Sequence, residues 1–421
     1  MRVIDADGHV EENPTTFSDK YFDPAFRSQR PEVVGMDGLA YWMIDEQLYP
    51  RRVGRGCNNL GTPVSYQGKP TKHAARKVDS VESMELSDLS ARIKIMDEEN
   101  LSIQVLYPTL FLAYPLSCNP TYVTAMCNSY NRWLADILSG HERLKWVGVV
   151  NLDDIPAAAK QVHECKRLGA VGIMILGTAG DKLLDDPSLL PFYEAVAGAN
   201  LPLAVHVGWA CPAINNLYSH IYPSGVIAFL MPVLMGFVSL MSGGILDRFP
   251  DMRVVFLEAG SLWVHFILER LHHRFQHSGK NLSQVVTRTT PIQALPTMDY
   301  VRKGNLYFSA EVEDALLPQV LDLVGDGQIM FGSDMPHGDR ERFAAAMLQD
   351  RKDLSESAKQ KILETNPARF YGLSADAVLI LDPPPHLNSN SRLIATSNFS
   401  STSYFFTGGP PANSLQLIDY P

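Results

Sequence analysis

The chain has 421 residues, of which 46% are hydrophobic and 19% charged, with a formal net charge of −10 and a sequence pI near 5.6. That is enough chain to bury a large core, and the acidic balance argues against nucleic acid as a partner. Five cysteines, at 57, 118, 127, 165 and 211, form no Cys-x-x-Cys pair, which excludes a thiolate zinc site and a disulfide framework and fits a reducing, cytoplasmic compartment.

Met1 and Arg2 lead straight into a first strand, Arg2 to Ala6, with no leader visible. Asp7, Gly8 and His9 follow it. Period-two alternation puts Asp7 and His9 side by side on one face, where they could grip one metal ion; a turn-forming Asp-Gly explains the same residues. From about 13 to 78 the pattern is irregular, apart from a hairpin of Tyr41–Ile44 against Leu48 and Tyr49. No acidic residue stands between Gln47 and Val78, whereas Arg51, Arg52, Arg55, Lys69, Lys72, Arg76 and Lys77 do. This insertion reads as a lid whose Arg51, Arg52 and Arg55 receive an anionic substrate, or as a solvated loop or subunit contact.

Regular alternation then begins. Helices are expected at about 87–100, 120–139, 155–168, 187–199, 226–248, 262–276, 314–324 and 356–371. Strands are expected at 103–107, 145–151, 171–175, 202–207, 253–257, 306–310 and 328–332. The apolar run from Val226 to Met241 is interrupted by Pro232 and Gly236, so a buried helix is expected there and no membrane span. Eight strands separated by helices imply parallel strands with crossover connections, and eight such units close a (β/α)8 TIM barrel. In that fold the strand ends meet at one mouth. Asp7 and His9 end strand 1, His206 ends strand 5, Glu258 ends strand 6, and Asp334 with His337 follows strand 8. Each has a structural explanation by itself; together they form a two-histidine, carboxylate-rich metal constellation.

Four stretches carry a family resemblance: Ile-Asp-Ala-Asp-Gly-His (4–9), Leu-Ala-Val-His-Val-Gly (203–208), Arg-Phe-Pro-Asp-Met-Arg-Val-Val-Phe-Leu-Glu-Ala-Gly (248–260) and Gly-Ser-Asp-Met-Pro-His (332–337). Over about residues 1–373 the chain resembles the amidohydrolase superfamily, in the branch of the amino-carboxymuconate semialdehyde decarboxylases and related aromatic-acid decarboxylases. The resemblance implies metal roles for Asp7, His9, His206 and Asp334. Two positions depart from the pattern. Asp7 stands where the branch often has the first His of a His-x-His pair, and Glu258 stands where the decarboxylases end strand 6 on an acid/base His. Strand 4 ends at Ile175, Leu176 and Gly177 without a lysine, so a carbamylated lysine bridging two metals is not expected.

The ligand set suits a divalent ion: zinc, manganese or iron. The first functional expectation is a metal-dependent hydrolase of a small anionic substrate. Its metal-activated water would give a proton to Asp334, with Glu258 as a ligand or second acid/base and His337 orienting the substrate. The second is non-oxidative decarboxylation of an unsaturated or aromatic acid. Further alternatives are oxygen chemistry at iron and a barrel that only binds ligand. The expected partner is a small molecule, with no nucleic acid and no membrane, and a homodimer or larger homo-oligomer is expected. Beyond Leu373, residues 374–421 are rich in Ser, Asn and Pro and read as an extended C-terminal arm.

Overall fold

Eight short apolar runs become eight parallel strands in the computed structural model, which describes residues 1–373 apart from 37, 75, 76, 78, 280–292 and 294. They are β1 (Ile4–Val10), β2 (Ile103–Pro108), β3 (Leu144–Val149), β4 (Gly172–Leu176), β5 (Leu203–His206), β6 (Val254–Leu257), β7 (Leu306–Ala310) and β8 (Ile329–Phe331). Each strand pairs with the next in parallel, in the order 1 to 8. The seam between β8 and β1 is bridged by Asp334 N–H donating to the Asp7 carbonyl at 2.9 Å, and by Ser333 N–H and Oγ donating to the Asp5 carboxylate at 2.8 and 2.6 Å. The architecture is the expected (β/α)8 barrel. The proposed arm over 374–421 lies outside the described residues.

Local chemistry accounts for the helices that wrap the strands. The helix α1 (Pro120–Ile137) starts on Asn119, whose side chain accepts from the Tyr122 N–H, and Pro120 fills its first turn. The helix α2 (Ile155–Leu168) starts on Asp154 and stops at Gly169, whose φ of 94° is the left-handed conformation that ends a helix most easily at glycine.

Strand β1 differs from expectation in a way that shapes the site. Instead of ending at Ala6 it continues to Val10 through a bulge, where Asp5 pairs with Gln104 but Gly8 pairs with Leu106. One extra residue rephases the strand, and the Asp7 and His9 side chains both reach the barrel mouth. Asp5 stays below, accepting from Gln104 Nε2 at 2.7 Å. Gln104 in turn accepts from the fully buried Arg92 at 2.8 Å, and Arg92 also donates to the His9 carbonyl at 2.8 Å. A Cβ at Gly8 would stand 2.6 Å from Gln104, so only glycine leaves room for this buried support.

The insertion contains the expected hairpin, Leu39–Ile44 against Gln47–Tyr49, plus an unexpected third strand, Glu32–Met36, whose residues are exposed or half-buried. The helical stretch expected over 226–248 is broken. A wide helical turn, Ser224–Ala228, is followed by α3 (Met231–Ser242) and a short helix, Ile245–Arg248. Pro232 cannot sit inside a helix and occupies the first turn of α3 instead. By length and a mean hydropathy of 2.1, Ile221–Ser242 is apolar enough to cross a membrane, but its α3 half is largely buried: Val233, Phe237 and Leu240 all lie in the core.

Candidate metal centre

Two imidazoles are locked with the same nitrogen pointing inward. His9 Nδ1 lies 3.0 Å from the Pro108 carbonyl, and His206 Nδ1 lies 3.0 Å from the Val207 carbonyl. A carbonyl can only accept, so both Nδ1 atoms carry a proton and both Nε2 atoms are turned toward the same point. Around them stand three carboxylates. Asp7 Oδ1 is 3.3 Å from His206 Nε2 and 3.5 Å from His9 Nε2. Glu258 Oε2 is 3.4 and 3.9 Å from the same two atoms, and Asp334 Oδ1 is 3.4 Å from His9 Nε2.

Strand-end backbone aims two of these acids. Glu258 and Asp334 both have positive φ, 57° and 53°. Such strain in non-glycine residues is held only where the surroundings impose it, commonly at working sites. The Glu258 N–H donates to Ser309 Oγ at 2.9 Å, and a Cβ at Gly332 would stand 2.6 Å from the Asp7 Cβ.

The donor set fits a divalent cation. His9 Nε2 and Glu258 Oε2 are buried and have no hydrogen-bond partner, a costly state that a metal bond would resolve. Asp7, His9, His206 and Glu258 place ligand atoms within 4.8 Å of one another, as do His9, Glu258, Asp334 and His337. The acids also repel one another. Burial, then Asp334 and Asp7, drives the Glu258 carboxyl far above its usual range. Burial pushes Asp334 up to about 8 despite the pull of His9, and burial with Asp334 brings Glu311 to about 8. Asp7 goes the other way: burial opposes ionisation, but His206 and His9 overcome it and hold the carboxyl low. A dipositive ion among these carboxylates would let all of them ionise.

His337 completes the centre. Its Nδ1 is 2.6 Å from Asp334 Oδ1, its Nε2 is 2.9 Å from Thr109 Oγ1, and its ring lies 4.1 Å from that of His9. Burial, with Lys77 nearby, lowers His337 to about 4. A cavity of about 490 Å³ opens above, lined by Glu258, His337, Glu11, His73, Lys77 and Thr109 among others.

The structure thus gathers Asp7, His9, His206, Glu258, Asp334 and His337 at one point. Arg51, Arg52 and Arg55 are elsewhere. Arg51 and Arg55 are exposed, Arg52 stacks 4.8 Å from the Tyr41 ring, and none of the three lines the cavity. The expected contact between these arginines and a substrate thus has no counterpart in the lining of this cavity. Among the described residues, the lysine that the insertion brings to the cavity is Lys77, which pairs with the buried Glu11 and donates to the Pro336 carbonyl at 3.3 Å. Nothing in the sequence separates Lys77 from its neighbours, because its partner is distant in the chain. Thr109 and Glu311 were legible in principle: each directly follows a strand, β2 and β7, as the metal-site residues do.

A family model described as amidohydrolase matches residues 119–373. The chain is similar to 2-amino-3-carboxymuconate-6-semialdehyde decarboxylase of Dictyostelium discoideum, with 23% identity over 295 residues covering 69% of this chain and 79% of that protein. In structure it is similar to an amidohydrolase of Mycobacterium avium subsp. paratuberculosis (TM-score 0.69, 21% identity, 89% of this chain and 98% of the other). It is also similar to 5-carboxyvanillate decarboxylase of Novosphingobium aromaticivorans, solved with manganese and 4-hydroxy-3-methoxy-5-nitrobenzoic acid (TM-score 0.59, 20% identity, 72% and 84%).

Proposed function

Because the chain belongs to the amidohydrolase family, we propose that it is a metal-dependent decarboxylase of an unsaturated or aromatic carboxylic acid. The observation that carries this reading is the cluster His9, His206, Asp7, Glu258 and Asp334, with His9 Nε2 and Glu258 Oε2 unpartnered and Glu258 lining a cavity that also holds Lys77. The decarboxylases among the similar proteins support it over the hydrolysis that the residues alone put first. Manganese is the ion bound by one of them, and an oxygen-rich set with two imidazoles suits manganese as well as zinc.

The bound ion would supply Lewis-acid polarisation of a substrate oxygen. His9 and His206, fixed through Nδ1, with Asp7 and Asp334, would hold that ion. Lys77 would draw the anionic substrate into the cavity. Asp334 and His337, in contact at 2.6 Å, form a pair that can hold a proton over the reacting carbon. That carbon takes the proton and the bond to its carboxylate breaks. The electron pair returns to the unsaturated system, and CO₂ leaves. Glu258 would orient the substrate or balance charge beside the proton-transfer pair. The five cysteines are free and four of them are buried, which suits a cytoplasmic location.

Glu258 itself favours a second reading. A carboxylate at the end of β6 is a fitting base for water, and would turn the same site toward hydrolysis or hydration. The deciding experiment incubates metal-stripped and manganese-reloaded protein with hydroxybenzoic, aminobenzoic and muconic acids and measures released CO₂. Manganese-dependent CO₂, equimolar with the decarboxylated product, is expected. Water-addition or cleavage products with no CO₂ would reject the decarboxylase in favour of the second reading.

A further inference from the structure

The half of the Ile221–Ser242 stretch that is not packed into the barrel forms one wall of the cavity. Ile221, Tyr222, Gly225, Val226 and Phe229 all line it. Their spacing, i, i+1, i+4, i+5 and i+8, is that of a single helical face. Trp209 continues this wall, its ring 4.8 Å from Phe229 and its Nε1 donating to Ser224 Oγ at 2.7 Å. Tyr222 is 83% exposed and Val226 53% exposed, so the apolar stripe runs out of the cavity toward solvent with no protein over it among the described residues. The same cavity is also lined by Lys77, Glu11, His73 and His337.

In the middle of the stripe stands Gly225, one helical turn from both Ile221 and Phe229. A Cβ there would meet nothing within 4 Å, so no packing demand explains the missing side chain, and glycine inside a helix costs about 0.5–1 kcal/mol relative to alanine. The gap widens the cavity instead. A cavity of roughly 150 Å³ accepts one benzene ring, and this one is about 490 Å³. One ring with its carboxylate would leave much of the apolar wall wet.

We propose that the substrate is an acid with a second, bulky apolar group: its carboxylate end sits by the metal ligands and Lys77, and its apolar end lies along Ile221–Phe229 in the notch at Gly225. This rests on the decarboxylase reading for the identity of the acid end only. The occupant is a small amphipathic molecule because one cavity is lined both by this apolar face and by Glu258, Lys77 and His337.

The test measures binding to manganese-loaded full-length protein by calorimetry, with benzoate and biphenyl-4-carboxylate as probes. The second ring should tighten binding on the order of tenfold or more, as expected for burial of its apolar surface. Gly225→Phe fills the notch and should bring the ratio of the two dissociation constants toward one. Val226→Asp, which leaves the notch open but places a charge on the wall, should also reduce the preference. Thermal melts of both variants check that they are folded. Equal affinity of the wild type for the two acids, or an unchanged ratio in both folded variants, would overturn the proposal. So would concentration-dependent self-association that Val226→Asp abolishes while the acid preference is absent, since the wall would then be a contact between copies of this chain. Because binding is read, absence of CO₂ from every acid would remove the decarboxylase reading and leave this one standing; CO₂ release without a size preference would do the reverse.

Discussion

His206→Ala is expected to leave a folded barrel that retains little metal and has activity near background. His206 is fully buried at the end of β5 and its Nε2 is turned to the centre by the Nδ1 contact with Val207. Alanine there deletes one ligand and also removes the imidazole nearest to Asp7, 3.3 Å away. Loss of one of about four ligands weakens a site by orders of magnitude. The fold should survive, because the closing seam through Ser333 and Asp5 and the support through Gln104 and Arg92 do not involve His206. Elemental analysis and circular dichroism of the purified variant check both halves. Full metal occupancy with normal turnover would remove His206 from the centre.

The second large effect is expected at Glu258. Glu258→Gln keeps the size of the side chain and the hydrogen bond from the Glu258 N–H to Ser309 Oγ, while removing a carboxylate that faces His206 at 3.4 Å and His9 at 3.9 Å. Four other ligands remain, so metal should still bind. A loss on the order of 100-fold or more in kcat, with a smaller change in KM, is the scale for a group acting in proton transfer or charge balance in the transition state. Glu258→His installs the acid/base residue that the decarboxylase resemblance implies at the end of strand 6 and should recover part of the CO₂ release lost in Glu258→Gln. Steady-state kinetics of both variants decide; normal turnover by the glutamine form would make Glu258 structural.

The barrel was readable because β-branched and apolar runs alternate with helical periodicity throughout, and the observed β7, Leu306–Ala310, has the expected bounds. The strand-end residues were readable for a related reason: each of His206, Glu258 and Asp334 has a structural explanation alone, but the barrel brings all such strand ends to one mouth. What escaped depended on contacts between distant parts of the chain. The β1 bulge arises from register against β2, and Lys77 was hidden in a run of seven basic residues until its pairing with Glu11 placed it. Arg51, Arg52 and Arg55 looked equivalent to it by charge, but their backbone leads them to solvent and to Tyr41. The helix expected over 226–248 was read through Pro232, although proline permits only a restart there.

The central claim is that these strand ends hold a divalent ion, and anomalous diffraction at the manganese edge from crystals grown with Mn²⁺ tests it most directly. The account predicts a strong peak about 2.0–2.3 Å from His9 Nε2 and His206 Nε2, with carboxylate oxygens of Asp7 and Asp334 completing the shell. No peak between β1, β5 and β8, with manganese found only on the surface, would contradict it.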